Sequence, residues 1–482
     1  MLGSSLPPSN ALAVGDAAAA DVRGAVVTKD ADHQGMTLWY DEPATSWESQ
    51  SLPIGNGAMG ASIFGGVDQE LLQFNEKTLW TGGPGSKQGY NFGNWTSPRP
   101  GALEEVQARI NAEKRVDPSW VAGKLGQPKS GYGGYQTFGD VRLTQTADSA
   151  DVSGYRRYLD IASATAGVTY SSGGVTYSRE YFASAADDVI VARLTADEPG
   201  RLGFTTAVTA PDNRSKTVTA EGGRITMSGA LNDNGLKYET QLQVLNEGGS
   251  LTDNDDGSVT VADADAVTLV LGAGTNYDDV YPDYRTVDPH TAVTDRVDAA
   301  AEKTFDQLRS AHIADYTELF DRVKLDVGQQ MPDVPTDELL AGYQDGSTSA
   351  AARKALEVLY FQYGRYLLVA SSRAGSLPAN LQGVWNNSTS APWGADYHVN
   401  INLQMNYWPA ETTNLSETTA PLFDYVDSLV APGEVTAQEM FGNRGWVVNN
   451  ETTPYGFTGV HDWATAFWFP EAAAWLAQHY YE

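Results

Sequence analysis

The stretch Val168-Thr-Tyr-Ser-Ser-Gly173-Gly174-Val-Thr-Tyr177 decides how the first half of the chain is read. Two Val-Thr-Tyr runs flank a Gly-Gly pair, and alternate residues of an extended run face opposite sides. Glycine reaches the positive φ angles that a two-residue hairpin turn requires. The stretch therefore predicts a hairpin. Similar β-type runs follow at 189–194, 202–208, 238–245 and 267–271, separated by Gly, Asn and Asp turns. Strands at this spacing predict a large antiparallel β-sandwich, which we place at 36–297.

The pattern then changes period. Phe305, Leu308, His312, Leu319 and Phe320 recur roughly at helical spacing, and a Pro-containing stretch follows at 331–335. Leu356, Leu359, Tyr360, Tyr363, Leu367 and Ala370 follow the i, i+3, i+4, i+7 rule of a helix with one buried face. A last helix opens at Pro470-Glu471 and carries Trp475, Leu476, His479 and Tyr480. The chain reads as a multidomain protein, β then α, with a helical linker at 298–345 and a helical domain at 346–482.

Residues 1–35 are rich in Ala, Ser, Pro and Gly without a sustained period, so disorder or a processing remnant is expected. Asn10-Ala11-Leu12-Ala13 has the small-x-small character of a signal-peptidase site, without the charged and apolar segments that normally precede one. We expect a secreted or cell-surface protein.

Composition excludes several classes of function. With 31 Lys+Arg against 61 Asp+Glu the net charge is −30, the wrong sign for nucleic acid or an anionic membrane surface. There is no cysteine, so disulfides, thiolate nucleophiles and zinc-thiolate sites are ruled out. The six histidines show no HxH or HExxH spacing, so neither a metal nor another cofactor is expected. No apolar run approaches the ~20 residues of a membrane span. The 12 Trp, 24 Tyr and 48 Gly of an acidic chain suit carbohydrate better, because aromatic faces stack on sugar C–H faces.

Two short motifs read as a glycine-rich strand entry and a turn. Gly55-Asn-Gly57-Ala-Met-Gly60 matches GxGxxG, yet β-type Ser62-Ile63-Phe64 follows where a dinucleotide site needs a helix. Asp253-Asn-Asp255-Asp-Gly257 resembles half a calcium loop without the distal Glu, and is expected to be a hairpin turn.

The chemistry is concentrated at 378–411, PANLQGVWNNSTSAPWGADYHVNINLQMNYWPAE. Trp385, Trp393 and Trp408 stand there among Asn380, Gln382, Asn386, His398, Asn400, Asn402, Gln404 and Asn406. Buried amides are costly unless every donor and acceptor is satisfied, so a polar cleft floored by aromatic rings is expected. An extended His398-Val-Asn400-Ile-Asn402 would point the imidazole and two carboxamides at one ligand, with Val399 and Ile401 packed behind.

Several motifs resemble glycoside hydrolase family 95. They are Ser51-Leu-Pro-Ile-Gly-Asn-Gly57, the run from Leu72 to Gly82, Tyr135-Gln-Thr-Phe-Gly-Asp140, Tyr363-Gly-Arg365-Tyr366, Asn380-Leu-Gln-Gly-Val-Trp385, and His398-Val-Asn-Ile-Asn-Leu-Gln-Met-Asn-Tyr-Trp408. The resemblance covers the chain from about residue 36 to its end. It implies a β-sandwich, a helical linker and an (α/α)6 barrel, followed in the family by a C-terminal β domain. The implied reaction is inverting hydrolysis of terminal α-L-fucose, often 1,2-linked, from a fucosylated oligosaccharide or polysaccharide, with some members acting on α-L-galactosides.

Family members position the attacking water with two asparagines, which match Asn400 and Asn402. His398, His461, Trp385, Trp393, Trp408, Asn380 and Gln382 are then expected substrate contacts. An amide can orient water but cannot hold its proton, so a carboxylate must assist. The family's general acid and supporting Asp lie in later barrel helices. With about twelve helices in such a ring, 346–482 is expected to hold only its first part. Asp396, Glu411, Glu451, Asp462 and Glu471 are read as structural or substrate contacts. A carbohydrate-binding fragment and an α-L-galactosidase are the competing expectations.

Overall fold

The computed structural model describes residues 35–146, 149 and 151–481. The expectations for the N-terminal tail, including the stretch at 10–13, lie outside the described residues. Sixteen strands form two antiparallel sheets of nine and seven. The larger sheet runs in space Thr37–Tyr40, Ser153–Asp160, Thr165–Ser172, Val175–Ser184, Val189–Ala196, Ala266–Thr275, Lys237–Glu247, Arg224–Leu231 and Arg214–Glu221. The smaller runs Ser250–Asp253, Val259–Ala264, Leu202–Thr209, Gly139–Gln145, Gln69–Glu76, Met59–Ile63 and Leu52–Gly55.

The predicted hairpin is present, with Tyr170 opposite Tyr177 and Ser172 opposite Val175. Gly173 and Gly174 have φ of 59° and 84°, as a type I′ turn demands. The acidic stretch at 253–257 is a hairpin turn, Asp253 pairing with Val259 and Gly257 turning the chain at φ 82°.

One face of each sheet supplies a shared core, with Ile54, Phe74 and Phe204 meeting Tyr181, Leu194 and Leu271. Val189 and Val191 point the other way, onto the helix Pro289–Ala301, where Val293 and Val297 cover them. Both faces of that strand are buried, which explains its unbroken apolar run. The helix packs so closely that a Cβ on Gly272 would meet Val297 at 2.7 Å. It also spans the boundary expected at 297/298, because the last strand of the sandwich ends at Thr275.

The linker helix Phe305–Phe320 starts at a capping box of Thr304 and Gln307. The long helix Ala350–Ser371 forms as expected, but of the expected face only Leu359 and Ala370 are buried, Leu356, Tyr363 and Leu367 are half-buried, and Tyr360 is 78% exposed while Arg365 is buried. Arg365 is inside because its guanidinium donates to the Leu319 and Phe320 carbonyls that end the linker helix Phe305–Phe320. The glycine motif at 55–60 is the hairpin on which the long helix docks. Gly57 N–H donates to the Ala370 carbonyl at 2.8 Å, and a Cβ on Gly55 would stand 2.4 Å from that oxygen.

Helices Asn402–Thr412, Ala420–Ser428 and Val430–Phe441 follow. The helix expected from Pro470 forms as two short pieces, Ala472–Leu476 and Gln478–Tyr481. No helix among the described residues is long and apolar enough to cross a membrane.

One local expectation fails. The stretch 398–402 is not extended, since the strand stops at His398, Val399 to Ile401 turn, and Asn402 opens a helix. Val399 is buried, but Ile401 is 38% exposed and does not pack behind the amides. Backbone bonding to a distant segment and the start of the helix override the local alternation.

Candidate active site

Two short segments build the site. Tyr397–His398 pairs antiparallel with Glu451–Thr452, His398 opposite Glu451. Residues directly opposite on such a pair project to the same side, so the backbone alone sets His398 beside Glu451. Asp396, two residues before His398, shares its face.

The chain enters this segment through strained backbone. Trp393, Gly394 and Ala395 all have positive φ, at 51°, 66° and 48°, and the left-handed region costs a non-glycine residue about 1–2 kcal/mol. The segment is held by the sandwich domain, whose Tyr135 N–H donates to the Gly394 carbonyl at 2.8 Å. The Trp393 indole is left 74% exposed.

The side chains form a continuous polar network. Asp396 Oδ1 is hydrogen-bonded to His398 Nδ1, and Asp396 Oδ2 accepts from Tyr132 Oη at 2.6 Å. His398 Nε2 lies 3.7 Å from Glu451 Oε2. Lys129 Nζ donates to Glu451 Oε1 at 2.7 Å, and His461 Nε2 stands 3.5 Å from the same oxygen. Lys129 and Tyr132 belong to a loop of the sandwich domain, so both domains build the site.

Burial opposes charge on His398, but the hydrogen bond to Asp396 and the charges of Asp396 and Glu451 outweigh it and raise its pKa. Glu451 is also pushed above the usual carboxylate range, by burial against the opposing pull of Lys129. His461 is depressed to about 4, by burial and then by the Lys129 charge. The surroundings thus favour the charged form of the His398 imidazole and the neutral form of His461.

Asp396, His398 and Glu451 each offer a ligand atom within 4.8 Å of the others, the donor set of a small cation site. Lys129 already supplies positive charge at Glu451, and Asp396 is occupied by Tyr132 and His398. These residues therefore fit hydrogen bonding to hydroxyl groups better than a metal. The two carboxylates are also closer than the ~6.5–9.5 Å that leaves room for an attacking water, so they do not form an inverting acid–base pair.

Asn400, two residues past His398, has a buried Oδ1 that accepts no hydrogen bond. An unfilled amide acceptor is what a positioned water would satisfy. Asn402 is half-buried at the start of its helix. Trp408, on that helix, is 50% exposed.

Asn380, Gln382 and Trp385 are gathered elsewhere, around a cavity between the sandwich and the long helix that His398, Asn400, Asn402 and Glu451 do not line. Trp385 is 8% exposed and donates its indole N–H to the Ile54 carbonyl. Lys129 and Tyr132 carry no sequence signal, since no spacing rule links them to Glu451 and Asp396, 322 and 264 positions on. Glu451 is read from the sequence only as a structural or substrate contact, and its place beside His398 comes from their strand pairing.

Residues 304–482 match the model of the glycosyl hydrolase family 95 catalytic domain, and 38–280 match that of the glycosyl hydrolase family 65 N-terminal domain. The chain is 34% identical to "Alpha-L-fucosidase 2" of Arabidopsis thaliana over 93% of its length and 55% of the relative's. It is 33% identical to "Probable alpha-fucosidase A" of Aspergillus niger over 92% of its length and 57% of that protein. Among solved structures, a putative kojibiose phosphorylase from human microbiome superposes with a TM-score of 0.56 at 9% identity, over 93% of this chain and 56% of that one. That likeness concerns the fold: an antiparallel β domain followed by a helical region.

The catalytic-domain match and the relatives point to one class, the glycoside hydrolases. The match over 304–482 and the identity with the curated relatives support assigning the chain to glycoside hydrolase family 95. It spans about half the length of the curated relatives it matches.

Proposed function

We propose that the protein is an α-L-fucosidase-type hydrolase that removes terminal, 1,2-linked α-L-fucose from oligosaccharides or polysaccharides with inversion, its helical region forming part of an (α/α)6 barrel. The carrying observation is the buried Asn400 Oδ1, two residues past His398, which has no hydrogen-bond partner among the described residues. In this reading Asn400 and Asn402 hold the attacking water, and Asn400 accepts one of its protons in a hydrogen bond. His398 and His461 bind sugar hydroxyls, and the exposed rings of Trp393 and Trp408 stack on the glycan. Inversion also needs a carboxylic acid at the leaving oxygen. Asp396 and Glu451 are too close to each other for that pairing and serve charge placement instead. The relatives' printed names support the fucosidase reading.

The test is incubation with 2′-fucosyllactose followed by proton NMR. Early appearance of β-L-fucose supports the proposal, whereas early α-L-fucose overturns inversion. The proximity of Asp396 and Glu451 favours one second reading, a site that binds such glycans without cleaving them. Saturable binding with no fucose released would select it.

A further inference from the structure

Asp396 is fully buried between two partners. Its Oδ1 is hydrogen-bonded to His398 Nδ1, and its Oδ2 accepts from Tyr132 Oη at 2.6 Å. Among the described residues no other hydrogen bond reaches this carboxylate. A carboxylate offers only acceptors, so both neighbours must donate. The rotation of the Asp396 carboxylate, and with it the place of the His398 proton, therefore depends on Tyr132. The other titratable groups around the imidazole, Glu451, Lys129 and His461, meet at Glu451 and make no hydrogen bond to Asp396.

The phenol is held more firmly than most loop side chains. Gly131 and Gly133 flank it at φ of 65° and 75°, and a Cβ there would stand 2.2 Å from the Gly89 carbonyl oxygen and 1.9 Å from that of Thr81. The loop is thus wedged against its own domain on both sides of Tyr132. The ring meets Phe457 edge-on with centroids 4.7 Å apart, and Lys129 Nζ lies 4.5 Å from its centroid. The hydroxyl has one further acceptor in reach, the Thr452 carbonyl at 3.1 Å. The shorter bond, to the ionised acceptor, is the stronger.

His398 gains a defined tautomer from this arrangement. With a proton kept at Nδ1, the neutral ring leaves the Nε2 lone pair free, and the charged ring donates from Nε2. Nε2 lies 3.7 Å from Glu451 Oε2, beyond hydrogen-bond length, so it can serve a sugar hydroxyl. A neutral ring protonated at Nε2 instead would turn a bare Nδ1 lone pair toward the Asp396 carboxylate, which repels it.

We infer that Tyr132 is a positioning residue: acting through Asp396, it holds the His398 proton on Nδ1 and presents Nε2 to the substrate. The sandwich domain thereby sets the binding state of a histidine in the helical region. The consequence for turnover rests on the reading of His398 as a ligand of a sugar hydroxyl, whereas the effect on the imidazole does not.

The test is nitrogen NMR of histidine-labelled protein without sugar, titrated from neutral to alkaline pH. The His398 signals are those missing from His398→Gln. In the parent, Nδ1 should keep its proton throughout, whereas in Tyr132→Phe the neutral ring should divide its proton between Nδ1 and Nε2. Unchanged signals in Tyr132→Phe overturn the inference. In an Asp396→Asn background, Tyr132→Phe should have no further effect on them. An equal effect in both backgrounds would make Tyr132 a general support of the fold and overturn the inference as well. With 2′-fucosyllactose, Tyr132→Phe should raise KM roughly threefold to tenfold and change kcat less. A fall in kcat at constant KM would contradict the presentation of Nε2 to bound substrate and overturn the inference. If the parent releases no fucose, the hydrolase reading fails, while the NMR comparison still decides whether Tyr132 controls His398.

Discussion

His398 and Glu451 face each other across a two-residue antiparallel pairing, with Nε2 3.7 Å from Oε2. On the far side of Glu451 stands Lys129, contributed by the sandwich domain. The sandwich is therefore more than a scaffold, because it supplies the cation that balances a buried carboxylate in the helical region.

Lys129→Met should move the pH dependence of kcat/KM. Lys129 pulls the Glu451 pKa down, so its removal lets burial push that pKa further up. If substrate binding needs the Glu451 carboxylate, the acid limb then shifts to higher pH. The ammonium is 42% exposed, so the loss near neutral pH should be modest, roughly threefold to tenfold, as for an ion pair of about 1 kcal/mol. An unmoved acid limb would remove Glu451 from substrate binding.

Asn400→Ala should lower kcat by on the order of 10²-fold while KM changes little, because a group that orients water acts mainly in the transition state. Asn402→Ala should behave alike. A rise in KM at constant kcat would make these residues ground-state contacts.

The extent to which the sequence was legible follows from interaction range. The Gly173-Gly174 hairpin could be read because turn chemistry and alternation are local. The long helix could be read for the same reason, but its buried face could not be placed in full, because Arg365 turns inward to carbonyls of another helix while Tyr360 is exposed. The 398–402 segment misled because its conformation is set by pairing with 451–452 and by the helix starting at Asn402. Richness in amides marked a single region, yet it merged two places that the fold separates: the His398 network and the cavity of Asn380 and Gln382. Lys129 could not be found at all, since only the three-dimensional fold brings its loop to Glu451.

His312 should dominate acid destabilisation of the linker. It is 3% exposed, stacks on Phe182, and points Nε2 at the Ser163 and Ala164 carbonyls. Burial depresses its pKa from 6.5 to about 4. A depressed histidine pKa means that the unfolded chain takes up a proton first, so stability is complete above 6.5 and falls as pH drops toward 4. The loss amounts to about 3 kcal/mol by linkage. Denaturant midpoints measured across that window should fall for the parent and flatten in His312→Gln. Parallel slopes for the two proteins would rule the residue out.

Inside the sandwich, Arg179 and Glu70 form an ion pair at 2.9 Å, with side chains 3% and 0% exposed. Glu70 also accepts from the Gly65 N–H and Tyr181 Oη, and Arg179 donates to the Gly66 and Val67 carbonyls. Removing one partner strands a buried charge, which typically costs about 3–5 kcal/mol. Arg179→Met should therefore be severely destabilising, and converting Glu70→Gln in the same protein should recover part of the loss. The deficit should also depend on pH. Burial already raises the Glu70 pKa against the pull of Arg179, and without the guanidinium the carboxyl rises further. A carboxyl raised on folding gives stability that is present below its unfolded pKa and lost as pH rises through the folded one. Urea unfolding of Arg179→Met should consequently show a smaller penalty near pH 5 than near pH 8. A pH-independent loss below about 1 kcal/mol would mean that the surrounding hydrogen bonds alone carry Glu70.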